Sequence, residues 1–63
     1  MISILLIDDH EVVRIGLRFA IESAVPGAEV AEAGSLAAGL EHLAWGARTD
    51  LVLLDPGLPD AGG

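Results

Sequence analysis

Apolar residues run without interruption at Ile4-Leu5-Leu6-Ile7 and again at Leu51-Val52-Leu53-Leu54, and each run ends in carboxylate, Asp8-Asp9 after the first and Asp55 after the second. A strand without polar alternation is buried on both faces, as in the centre of a parallel α/β sheet, so both runs read as strands. From His10 or Glu11 to about Ala24 the period becomes helical. Val13, Leu17, Ala20, Ile21 and Ala24 share one face at about 100° per residue, Val12, Ile15 and Phe19 form a second apolar stripe, and Glu11, Arg14, Arg18 and Glu22 share the polar side. Asp8 or Asp9 is placed to cap the first turn. The second stripe asks for a further packing element; the alternative is a scatter of surface apolar residues, which are common.

Pro26-Gly27 breaks this helix and turns the chain. Glu29-Val30-Ala31-Glu32-Ala33 is a short strand of weak apolar content, suited to a sheet edge. Ser35 is a good N-cap for a helix over about Leu36 to Gly46, with Leu36, Leu40, Leu43 and Ala44 on one face and Trp45 almost opposite Leu36. Gly39 costs that helix some propensity. The order is β-α-β-α-β, and right-handed crossovers make the strands parallel. Residues 1–63 form one domain, ending in a Pro/Gly-dense loop from Pro56 to Gly63.

Size changes this picture. A chain of 63 residues buries only roughly 60% of its unfolded surface, and with no cysteine and two scattered histidines it has neither a disulfide framework nor a zinc spacing. A partner subunit is the simplest other source of stability. Ten acidic residues against three arginines give a formal charge of −7, a balance that repels nucleic-acid backbones and anionic membrane surfaces. No basic segment precedes the first apolar run, which is too short for a signal peptide or a membrane span, so a cytoplasmic protein is expected.

If the first and third strands are neighbours, Asp8, Asp9 and Asp55 converge at the carboxyl edge of the sheet, where open α/β sheets place their ligands. Carboxylates that close repel one another, and a hard cation such as Mg²⁺ relieves the repulsion. A carboxylate beside such a cation is a competent nucleophile toward a phosphoryl group. Taken alone, Asp8-Asp9 would be a helix cap; the second acid-ended strand argues otherwise. A different phosphate-handling α/β enzyme is disfavoured, because no glycine-rich loop comes after the first strand.

These residues resemble the receiver domain of two-component response regulators, LuxR/NarL-type subgroup. The matching text is Ile4-Leu5-Leu6-Ile7-Asp8-Asp9-His10, Val13-Arg14-Ile15-Gly16-Leu17, Glu32-Ala33 with Gly34-Ser35, and Asp50-Leu51-Val52-Leu53-Leu54-Asp55 with Leu58-Pro59 and Gly63, so the whole chain takes part. The resemblance implies a flavodoxin-like half-domain with a three-stranded parallel sheet in the order 2-1-3. It also implies that Asp55 is the phosphoacceptor, that Asp8 and Asp9 bind Mg²⁺ with Asp55, and that the Gly57 backbone carbonyl completes the metal site. Pro56 departs from the family pattern: it removes a backbone donor, and Pro56-Gly57 suits the centre of a type II turn.

A whole receiver has five strands, and this chain stops after the third, without the hydroxyl residue and the lysine that come after the fourth and fifth in the family. The absent fifth helix accounts for the second stripe on the first. The expectation is a truncated receiver-like module, not an enzyme in its own right, that self-associates through the third-strand edge and is impaired in phosphorylation. The alternative is a competent phosphoacceptor whose other half comes from a longer native chain or a partner. A histidine kinase or another receiver is the further partner implied; no DNA-binding helix-turn-helix is present.

Overall fold

β1 (Ser3–Ile7) lies at the centre of a three-stranded sheet, between β2 (Glu29–Ala33) and β3 (Leu51–Leu54), and both neighbours run parallel to it. α1 (Glu11–Ala24) connects β1 to β2, and α2 (Leu36–Ala44) connects β2 to β3. The strand order is therefore 2-1-3, half of a flavodoxin-like receiver fold. This computed structural model describes residues 1–46 and 48–60; Gly62 and Gly63, the end of the Pro/Gly-dense loop, lie outside the described residues.

β1 is buried as its unbroken apolar run requires, with Ile4, Leu5, Leu6 and Ile7 all at 5% exposure or less. Strand alternation sends Leu5 and Ile7 to one face, where they meet Ala31, Ala33, Leu36 and Leu58. α2 covers this face, and it approaches closely because Gly39 is its buried residue. A methyl group there would sit 2.8 Å from Ile7 Cγ1 and closer still to Cδ1. The expected face of Leu36, Leu40, Leu43 and Ala44 is thus corrected: Leu40 and Leu43 are exposed, and the helix packs through the glycine that propensity alone marks as a cost.

Glu32 alternates with Ala31 and Ala33, so it projects from the opposite face, the one covered by α1. There the packing is unlike that anticipated. No residue of α1 is buried, and Val13 and Leu17 stay 50% and 42% exposed. Arg14 and Arg18, assigned to the outward polar side, instead turn inward and both bond the Glu32 carboxylate, Arg14 Nε at 2.8 Å. A carboxylate on a half-buried strand face requires a counter-charge, and the guanidiniums supply it at the expense of the apolar face.

The helix ends also differ from expectation. His10 is the N-cap of α1 and makes no side-chain cap; Asp8 Oδ1 accepts the His10 N–H at 2.8 Å rather than a donor inside the helix. Ser35 does cap α2, accepting from the Ala38 N–H at 3.1 Å, and Asp60 joins it by accepting from Leu36 and Ala37, each at 3.0 Å. α2 stops at Ala44 rather than Gly46, because Gly46 turns left-handed at φ 77°. Among the described residues no helix is long and apolar enough to cross a membrane.

β3 is the exception to burial. Leu51, Val52, Leu53 and Leu54 are 38–48% exposed, and no strand pairs with its outer edge among the described residues. On α1, Val12 and Phe19 are 84% and 63% exposed, so the second stripe is left open too.

Candidate functional site

Strand register builds the acidic edge. Ile7 pairs with Leu54, and the Asp55 N–H donates to the Ile7 carbonyl at 2.9 Å, so Asp8 and Asp55 leave adjacent strands side by side. On the other flank the Asp8 N–H donates to the Ala33 carbonyl at 3.0 Å. Asp8 is thereby held at the end of the central strand and is itself buried. Arg14 Nη1 donates to the Asp8 carbonyl at 2.6 Å, tying the strand end to α1 and through it to Glu32.

Asp8, Asp9 and Asp55 meet as their positions after the two strands anticipate, and His10 joins them. One donor atom from each of the four lies within 4.8 Å of all the others. The His10 Nδ1 is 3.0 Å from Asp8 Oδ1, 3.1 Å from Asp9 Oδ1 and 3.5 Å from Asp55 Oδ2. Read from spacing, the two histidines promised no metal site; the β1–α1 loop nevertheless folds His10 over the acids, because its backbone N–H is bound by Asp8. Its place directly after the acid pair was the available signal.

The environment shifts two of these groups in opposite directions. The His10 backbone N–H, more than any other cause, holds the Asp8 carboxyl below its ordinary value, against the effect of burial. The Asp8 hydrogen bond, followed by the charges of Asp9 and Asp8, raises the His10 imidazole above its own. The arrangement therefore concentrates negative charge and draws a cation or a proton to it.

Asp55 sits on a tight turn. The Leu58 N–H reaches the Asp55 carbonyl at 3.3 Å, and the Gly57 N–H donates to Asp55 Oδ1 at 2.9 Å. Pro56-Gly57 is at the centre of this turn, yet Gly57 has no positive φ, so the turn is not type II as anticipated. Buried Leu58 anchors the far side of the loop in the core. Beside the acids an open cleft of about 210 Å³ runs between α1 and β3, lined by Leu6, Leu17, Leu53, Leu54, Asp8 and Asp55. A larger hollow, about 450 Å³, lies at the opposite ends of the strands, with His42 and Arg48 on its wall, and includes none of the acids.

The donor set suits a divalent cation: three carboxylates that converge, one of them buried, offer the hard oxygen ligands that Mg²⁺ takes. Arg14 is a supporting residue that periodicity misplaced, and Glu32 is one it left unplaced, since only the pairing of β2 with β1 shows which way Glu32 faces.

Comparison with known proteins is consistent with this geometry. The chain is 41% identical over 66 residues to the response regulator UvrY of Escherichia coli K12, an alignment spanning 100% of this chain and 28% of that protein. It is likewise 41% identical over 63 residues to the DNA-binding transcriptional activator DevR/DosR of Mycobacterium tuberculosis, covering 100% of this chain and 29% of the other. The chain thus spans less than a third of the length of the curated relatives it matches. No family model and no solved structure matches it.

Proposed function

We propose, for a chain that is similar to response regulators along its whole length and carries half of a receiver fold, that it is a receiver-like module of two-component signalling which self-associates through β3 and accepts phosphoryl groups poorly. The observation that carries self-association is the exposure of all four β3 residues beside a strand edge that is unpaired among the described residues. Such an edge bears free backbone donors and acceptors next to apolar surface and carries neither lysine nor proline to discourage pairing. Two copies meeting β3 to β3, antiparallel about a two-fold axis, form a six-stranded sheet that satisfies both edges at once.

Weak phosphoacceptance is argued from the turn. Asp55 Oδ1 is already engaged by Gly57, Oδ2 faces His10, Pro56 offers no N–H to a phosphoryl oxygen, and the chain contains no lysine. Light scattering on the 63-residue chain should give a dimer, and Leu53→Lys should return it to monomer; a monodisperse wild-type monomer would remove the proposal.

The convergence of Asp8, Asp9 and Asp55 favours a second reading, a competent phosphoacceptor completed by a longer native chain or a partner. Asp8, Asp9, Asp55 and the Gly57 carbonyl would hold Mg²⁺, which supplies positive charge for the phosphoryl oxygens. In that reading an Asp55 oxygen forms the new O–P bond with a histidine kinase's phosphohistidine, the P–N bond breaks, and the imidazole leaves with its electron pair. Incubation with a small phosphodonor and Mg²⁺, followed by intact-mass measurement, separates the readings. One added phosphoryl mass on most of the chain, lost in Asp55→Asn, supports the second.

A further inference from the structure

We infer that His10 is a fourth metal donor at the acidic edge and tilts it toward divalent ions that accept imidazole, of the nickel and zinc class, in preference to magnesium. This rests on the reading of Asp8, Asp9 and Asp55 as cation ligands. An ion with ligand bonds of about 2.0–2.2 Å has neighbouring donors about 2.8–3.6 Å apart, whether it is octahedral or tetrahedral. The His10 Nδ1 stands 3.0, 3.1 and 3.5 Å from one oxygen of each of the three acids, every separation within that interval. The imidazole nitrogen therefore already stands at ligand spacing from an oxygen of each acid, and one donor atom from each of the four residues lies within 4.8 Å of all the others.

The imidazole is placed rather than wandering. His10 has extended backbone at the start of α1, its N–H is bound by Asp8 Oδ1, and Asp8 is fixed in turn through its own N–H and carbonyl. The ring is 65% exposed on its side chain, so an ion reaches it from solvent. Mg²⁺ gains little from a nitrogen donor, whereas imidazole suits nickel, copper and zinc. Three aspartates alone form a hard site; three aspartates and one imidazole form a borderline one. The chain's other histidine, His42, lies at the opposite end of the sheet and serves as an internal control.

The test is calorimetric titration of Mg²⁺, Ni²⁺ and Zn²⁺ into the 63-residue chain at about pH 8, because protons compete with metal for the same ligand atoms, using wild type, His10→Gln, His42→Gln, Asp9→Asn and Asp55→Asn, with far-UV circular dichroism to confirm folding. His10→Gln should weaken Ni²⁺ and Zn²⁺ by about tenfold or more and leave Mg²⁺ within about threefold; His42→Gln should change none of them. Ni²⁺ should broaden the His10 ring proton resonances selectively. Equal Ni²⁺ affinity in His10→Gln and wild type, with Mg²⁺ binding lost in Asp9→Asn and Asp55→Asn, would overturn the inference and leave the cation reading standing. Tighter binding of both Mg²⁺ and Ni²⁺ by His10→Gln would show the imidazole to be a competitor, again overturning it. No binding of any ion, or Asp9→Asn and Asp55→Asn binding like wild type, would overturn both.

Discussion

Adding one methyl group at Gly39 tests the contact that seats α2 against the central strand and, one residue before Asp8, steadies the acidic edge. Alanine in mid-helix is favoured over glycine by about 1 kcal/mol, so propensity predicts that Gly39→Ala stabilises. The structure predicts the reverse. The new carbon would fall 2.8 Å from Ile7 Cγ1 and nearer to Cδ1, and Ile7 is 2% exposed with a branched side chain stiff at χ1, so the side chain or the helix must shift. Overpacking of this kind costs about 1–3 kcal/mol, leaving a net loss of up to about 2 kcal/mol after the propensity gain. A 63-residue chain has a total stability of roughly 3–9 kcal/mol, so a loss of that upper size is a large fraction of it. Urea denaturation followed by circular dichroism, at fixed protein concentration, should show the midpoint falling by up to about 2 M for a slope near 1 kcal/mol/M. Gly16→Ala is the matched control: it lies within α1 with nothing inside 4 Å of the added carbon, and its midpoint should rise. Ile7→Val removes Cδ1 and should make the double variant with Gly39→Ala less destabilised than the sum of its parts. A Gly39→Ala midpoint equal to or above wild type would refute the packing argument.

Glu32→Ala strands two guanidiniums against the sheet and should lower stability by about 1–3 kcal/mol, measured by the same denaturation; Glu32→Gln should retain part of the loss. Leu58→Ala empties the anchor of the Asp55 loop and should cost about 2–5 kcal/mol, while amide exchange at Gly57 and Leu58 speeds up. Asp60 and Asp50 are held below the ordinary carboxylate value of 3.8, Asp60 by the Ala37 and Leu36 N–H groups and Asp50 first by the Ser3 N–H. Their contribution is therefore complete above that value and lost as pH falls through the lowered one, so the denaturation midpoint should drop on acidification below about pH 4. Asp60→Asn should flatten that acid limb, and an unchanged slope would count against the capping role.

How far the chain explains itself depends on the range of each interaction. The strands at Ile4–Ile7 and Leu51–Leu54, the two helices, the Ser35 cap and the carboxylates after the strands all come from residues close together in sequence, because periodicity and capping are local effects. Strand order and the meeting of Asp8 with Asp55 were accessible too, through a resemblance that carries long-range information which composition lacks. Beyond reach were contacts between residues far apart whose local signals pointed elsewhere. Arg14 and Arg18 scan as a solvated face until β2 turns Glu32 toward them, and Gly39 scans as a weak point until Ile7 is seen to need its space. Asp60 scans as a loop acid until the turn at Asp55 folds it back onto α2, and His10 scans as a lone ring until β3 delivers Asp55 beneath it. Local pattern chooses the elements; which side chains then face each other is set by strand register and by the requirement that charge on a buried surface find its counterpart.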